Sequence, residues 1–566
     1  MLVIVISWIY IFWTTLSFGL AVSKRLRIYP SDIIFTIITG LFSVTLLACI
    51  WAFWFPIAKE FHFLLLSITA LLWYQNRREG IAQLITTYCQ INSFNKTIKW
   101  SFLISSFLIL AQCATAPYIV DNETYYIQTI KWLNEFGLVK GLANLHLFFG
   151  QTSPWHITQS VYNLNFIYDR FNDLNGFLLL LFNFFVFLNW QKYLTSNNKI
   201  ELIFALFPLS YIFLFQFINA PSPDFPIYIF SFLLFYYFCN SNQISKHHLL
   251  IKLSLLGLFA AFIKMTAFPL LILPIGYYCW NYKAVHKNLF TLKILALSTI
   301  TVILLKNSVL TGYPFFPLQF VSFPNLNYKV PTEIMDFFFS EKMMYNFYIP
   351  YNSFENVTTL DKISRYFLHN GIDSIIAITT VSISIISPVI ISKSEYKKPL
   401  AVIYGLFILL LILLMYSSPQ YRFYVYFTIF FSLLTLSYFI QKQNTIRFLN
   451  SISIAVLLLL LCLPFSFKSI TNNNLLAENN TFSLRNILIP EPNTKYQLEY
   501  KGDSRGNLKF NTPINPPMFW INGNGNLPTV NAAQLIYFET NFHYMPQQRS
   551  HNLADGFYAQ KVSGHD

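Results

Sequence analysis

Asp121 opens the run Asp121-Asn122-Glu123-Thr124-Tyr125-Tyr126, just after an apolar stretch that ends near residue 118. A carboxylate placed where the chain leaves a membrane meets both a lipid-borne and a water-borne reactant. It suits general-base work on a hydroxyl, or the holding of a divalent cation. Glu123 is the nearest competitor for that work. Asp121, Thr124, Gln128, Lys131 and Glu135 recur at helical spacing, while Ile127, Ile130 and Leu133 take the other face. The spacing predicts an amphipathic helix along the membrane surface, its polar face either simply solvated or functional. His146 and His156 lie in the same polar body and serve as loop hydrogen-bonding residues or as site residues. Asp224, in Ser222-Pro223-Asp224-Phe225-Pro226, stands at a helix start, where a carboxylate either caps orphan amides or serves the site.

Three cations are the natural counterparts of these acids: Lys264, Lys306 and Arg422, the last within Ser418-Pro419-Gln420-Tyr421-Arg422-Phe423. A guanidinium pairs bidentately with a phosphate, and an ammonium supplies a point charge. Snorkelling to the interface is the non-functional alternative for each. The six cysteines lie in or beside apolar runs and show neither a disulfide framework nor metal-ligand spacing.

These residues depend on the apolar runs that carry them. The first run ends at Lys24, Arg25 and Arg27, which sets that end in the cytoplasm and the N-terminus outside, as a retained helix rather than a signal peptide. Alternation sends residues 33–55 outward and 61–74 back to Arg77 and Arg78. Residues 80–99 read as a cytoplasmic interfacial segment, and 100–118 deliver Asp121 to the outer face. Runs at 177–190, 200–217 and 227–239 follow, and 249–280 holds two spans with a break near 264–269. A span ending at Lys306 opens a second outer loop. The remaining runs leave Lys393, Lys397 and Lys398 inside, Arg422 outside, Lys442 and Arg447 inside, and the C-terminus outside.

The sum is an all-α polytopic membrane protein of about 14 helices. Residues 1–99 form the N-terminal helices and interfacial segment. Residues 100–467 form the core, with outer loops 119–175 and 306–371, and 468–566 form a small, irregular or β-rich outer domain with strand-like pieces at 496–500 and 535–538. Gly312-Tyr313-Pro314 reads as a turn after a helix.

Composition agrees: 55% of the 566 residues are hydrophobic and only 11% charged, against about 25% in soluble domains, which excludes a soluble enzyme. The net charge of +14 sits in short clusters between apolar runs, the positive-inside pattern, so it does not call for nucleic acid. Abundant Phe and Tyr fit an AT-rich coding sequence and carry little functional weight. No internal repeat is visible, which weighs against transporters built from duplicated halves.

The chain resembles the GT-C superfamily of membrane glycosyltransferases, and more closely a group of uncharacterised bacterial multi-span proteins related to it. The likeness rests on Asp121 in the first large outer loop and on segments 121–132, 141–155, 222–226, 306–317 and 419–423. It implies a bacterial inner-membrane enzyme that transfers a sugar from a polyprenyl-phosphate donor to an envelope glycan, lipid or protein. By that resemblance Asp121 deprotonates the acceptor hydroxyl, and Arg422 with Lys264 or Lys306 stabilises the departing phosphate. The sequence singles out no cofactor, and a divalent cation is compatible with it. An outer-face polysaccharide polymerase or ligase, resting on loop cations and histidines, is the alternative enzyme. A glycan or lipid transporter is the non-enzymatic one.

Overall fold

A computed structural model describes residues 1–28, 32–164, 172–287, 289–323, 325–347, 349, 357–368, 371–467 and 478–562. The 468–477 portion of the expected outer domain and parts of the 306–371 loop lie outside the described residues. Within them, eight helices are long and apolar enough to cross a membrane: Leu2–Arg25, Ile33–Trp51, Leu174–Ser196, Lys246–Ile263, Phe290–Thr311, Ile372–Ser392, Lys397–Ser417 and Gln443–Cys462. Lys199–Ala205 and Phe207–Phe217 form a ninth if the pair, bent by 41°, counts as one span. Asp224–Cys239, Met265–Trp280 and Val425–Phe439 are shorter apolar helices.

The first two helices show what holds such a bundle where lipid offers no hydrophobic contrast, namely close approach through small residues. A Cβ on Gly19 would stand 1.9 Å from the Thr36 carbonyl oxygen, and one on Gly40 would stand 1.7 Å from that of Thr15. Glycine at each position is therefore a condition of contact. At the end of this pair, Asp32 accepts from the Phe35 amide (2.8 Å), the Tyr237 hydroxyl (3.0 Å) and Lys252 Nζ (2.7 Å). One capping carboxylate thus ties three helices together at the start of the second.

Several expected boundaries move. The runs at 61–74 and 80–99 are one helix, Lys59–Asn92, interrupted only at Asn76, whose backbone leaves helical angles (φ −120°, ψ 19°). There the Asn76 side-chain amide donates to the Leu72 carbonyl (2.8 Å), a local bond that competes with the helical ladder. The following helix begins at Lys96, capped by Asn95, and ends at Cys113. The helix expected to end at Lys306 runs on to Thr311 and stops at Gly312, whose φ of +82° gives the left-handed C-terminal turn. Lys306 is therefore inside a helix and not in an outer loop. The break near 264–269 is present: Lys246–Ile263 ends, Lys264 is extended, and a 3₁₀ segment carrying Pro269 leads into Ile272–Trp280.

Residues 478–562 contain two antiparallel hairpins, β1 (Tyr500–Arg505) with β2 (Leu508–Pro513) and β3 (Tyr544–Gln548) with β4 (Phe557–Lys561). The strand expected at 496–500 starts only at Tyr500. The piece expected as a strand at 535–538 lies within the helix Ala532–Phe542. Short apolar runs do not declare their period. Here Phe538 and Phe542, spaced for one helical face, both meet the Phe337 ring, at 5.6 and 5.2 Å.

Candidate functional site

Asp121 stands at the N-terminus of a π-helical turn, Asn122–Tyr126, which continues directly into the helix Ile127–Glu135. A π-turn aligns residues i and i+5, and such turns recur at functional sites. Tyr126 accordingly donates its hydroxyl to Asp121 Oδ2 (3.3 Å). The same oxygen receives Arg422 Nη1.

Arg422 is carried by the 3₁₀ turn Tyr421–Phe423, between the helices Lys397–Ser417 and Val425–Phe439. Two bonds aim it: its Nε donates to Gln420 Oε1 (2.6 Å), and its carbonyl accepts from the Tyr228 hydroxyl (2.8 Å). Behind it lies Asp224, the first residue of Asp224–Cys239. The Asp224 carboxylate faces Lys264 through Oδ1 and Arg422 Nη1, 3.9 Å away, through Oδ2. Helix capping is thus not where this carboxylate is directed. Lys264 and Arg422 also share the Phe423 ring, with the ammonium 4.2 Å and the guanidinium carbon 5.4 Å from its centroid.

Four chain segments therefore deliver two acids and two bases to one cluster of balanced charge. Exposure is graded across it. The side chain of Asp224 is 3% exposed and that of Lys264 20%, whereas Asp121 and Arg422 keep 24% and 31%. Asp121 and Arg422 are thus its more exposed members, and Asp224 is its most deeply buried one.

His156 packs its ring 4.7 Å from that of Tyr126. Its Nδ1 accepts from the Ser153 amide (3.1 Å) in a capping box, which leaves the proton on Nε2. Burial, with the charges of Lys306 and Lys264 adding to it, pushes the imidazole down to about 3, so it is neutral at physiological pH. Lys306 donates to the Thr152 carbonyl (2.7 Å) and Asn307 Oδ1 (2.8 Å). It is thus held by neutral acceptors and lies beyond the acid–base cluster. His146 accepts from the Phe148 amide (3.2 Å) and packs against Phe149 and Trp520; burial pushes it, too, down to about 3.

Glu123 and Gln128 face elsewhere. The Glu123 carboxylate accepts from Thr494 Oγ1 (2.9 Å) and the Lys495 amide (2.7 Å), and its carbonyl accepts from the Asn522 and Gly523 amides. Burial raises its pKa while those donors pull it back. Gln128 Nε2 donates to the Gly523 and Gly525 carbonyls (3.0 and 2.9 Å), and Lys131 Nζ to those of Asn524 and Gly525 (3.1 and 3.0 Å). The expected surface helix is thus corrected: its apolar face and much of its polar face are buried, because residues 493–525 cover the polar side. Replacing Glu123 by Ala removes the acceptor of two half-buried donors, at a cost of about 1–3 kcal/mol. We expect faster proteolysis within residues 478–562 in Glu123→Ala; an unchanged rate would show that the clamp carries no such weight.

Tyr126, Gln420 and Phe423 complete the cluster, although sequence reasoning did not single them out. Among the described residues no three His, Cys, Asp or Glu side chains gather as metal ligands would. Comparison with curated proteins and with solved structures gives no match. A family model described as a domain of unknown function, DUF8201, matches residues 1–429, which include Asp121, Asp224, Lys264 and Arg422, and the chain belongs to that family.

Proposed function

We propose that the chain is a GT-C-like glycosyltransferase that moves a sugar from a polyprenyl-phosphate donor to an outer-face envelope acceptor. The observation that carries this reading is the meeting of Asp121 with Arg422, and of Asp224 with Lys264, at one partly accessible site. The lipid phosphate competes with Asp121 for Arg422, so donor binding frees the carboxylate that must act as base. Asp121 then takes the acceptor hydroxyl proton, the acceptor oxygen bonds to the anomeric carbon, and the carbon–oxygen bond to phosphate breaks. The electron pair leaves on the phosphate oxygen, where Arg422 and Lys264 offset the new charge. Attack opposite the leaving group inverts the anomeric centre.

In this reading the eight spans, the bent pair, the three shorter apolar helices, and the Lys59–Asn92 and Lys96–Cys113 helices supply fourteen crossings. Both termini, Asp121 and residues 478–562 then lie outside the bacterial inner membrane. The hydrogen bonds joining 122–131 to 493–525 support their sharing one face. Single cysteines near Asp121 and in 478–562 should label from the same, outer side; labelling from opposite sides would overturn the topology.

Purified protein incubated with polyprenyl-phosphate-linked sugars and a pool of envelope acceptors is the direct test. Release of polyprenyl phosphate coupled to glycosylated acceptor is the expected result. Chain-length growth of a lipid-linked glycan would instead mark a polymerase, and movement of intact lipid-linked glycan across vesicles a transporter.

A further inference from the structure

The helices Ile372–Ser392 and Lys397–Ser417 are joined by a short turn, and beside it lies an open groove of about 410 Å³. Pro388, Ile391, Ala401 and Tyr404 line it, with Lys397 and Lys398 at its mouth. Proline cannot donate to the carbonyl four residues back, here that of Ser384. Tyr404, on the other helix, donates its hydroxyl to that carbonyl (2.8 Å), so the notch at Pro388 exposes no unsatisfied backbone. The groove is therefore a finished surface, apolar in its body and basic at its rim.

Its position is informative. The Lys397–Ser417 helix has 21 residues, so at 1.5 Å per residue its ends are about 30 Å apart, the thickness of a hydrocarbon core. Its far end leads to Arg422, and the groove thus lies at the opposite membrane interface from the acid–base cluster. Both lysines are exposed, and neither forms an ion pair among the described residues. On the helix that carries Pro388, Ile385 and Val389 present exposed apolar side chains.

We infer that this groove binds an anionic phospholipid of the surrounding leaflet, with its phosphate between Lys397 and Lys398 and an acyl chain along Pro388, Ile391 and Ala401. Charge complementarity fixes the class: two unpaired ammonium groups at headgroup level above an apolar track suit a lipid with net negative charge better than a zwitterionic one. The inference needs only the membrane setting and is independent of sugar transfer.

Native mass spectrometry of the full chain, titrated with phosphatidylglycerol or phosphatidylcholine, tests it. Each basic residue near an anionic surface contributes about 1 kcal/mol, about fivefold in affinity. Lys397→Gln with Lys398→Gln should therefore weaken phosphatidylglycerol binding roughly 30-fold, leave phosphatidylcholine binding unchanged, and do so without loss of the folded chain by thermal unfolding. Lys442→Gln, outside the groove, should have no comparable effect. Equal binding of the two lipids, retention of phosphatidylglycerol by the double variant, an equal loss in Lys442→Gln, or displacement of lipid by inorganic phosphate would each overturn the proposal.

Discussion

On the proposed reading, Asp121→Asn should lower sugar transfer by about 10²–10⁴ while leaving the chain folded and inserted, the range that a positioned general base contributes. The amide keeps the shape of the carboxylate and still accepts from Tyr126 and Arg422 through its oxygen, so loss of basicity is the main change. Donor binding, measured apart from turnover, should stay the same or tighten, because a carboxylate no longer competes with phosphate for Arg422. Glu123→Gln should cost less in rate, since that side chain is held by Thr494 and Lys495. Near-normal turnover in Asp121→Asn would remove Asp121 from the reaction, and a larger loss in Glu123→Gln would move the role there.

Lys264→Met destabilises the protein by about 3–5 kcal/mol, the cost of leaving a buried charge without its partner. Asp224 is the group left behind. Arg422, 3.9 Å from it, offsets part of the loss and favours the lower end of that range. Adding Asp224→Asn to Lys264→Met should restore much of the stability, because a neutral pair replaces a lone carboxylate. Thermal unfolding of the purified variants in one detergent measures both changes. A silent Lys264→Met, or a double variant no better than the single, would mean that the pair does not hold these helices together.

The sequence made the cluster's members visible more readily than its pairing. Asp121, Asp224, Lys264 and Arg422 stand out because charges bordering apolar runs are costly and few. Which acid meets which base is a contact across as many as 301 residues, and no local period encodes it. Tyr126 escaped because helical reasoning looks three or four residues ahead, whereas the π-turn aligns the fifth. Glu123 and Gln128 were misleading in the opposite way: periodicity reveals a polar face but not what covers it. The charge of Lys306 suggests a helix end there, while the signal that sets the end is Gly312, six residues on.

The π-turn at Asn122–Tyr126 also acts as a phase adjuster between two sets of contacts. One residue is worth about 100° of helical rotation. Upstream of the turn, Asp121 must point at Arg422; downstream, Gln128 and Lys131 must point at the Gly523–Gly525 backbone. The extra residue lets one continuous rod satisfy both bearings. Deleting a residue within Asn122–Tyr126 would restore ordinary helical winding but turn one set away from its partners. The backbone at Gly523–Gly525 and the Asp121–Arg422 pair are thus geared through a single turn of backbone.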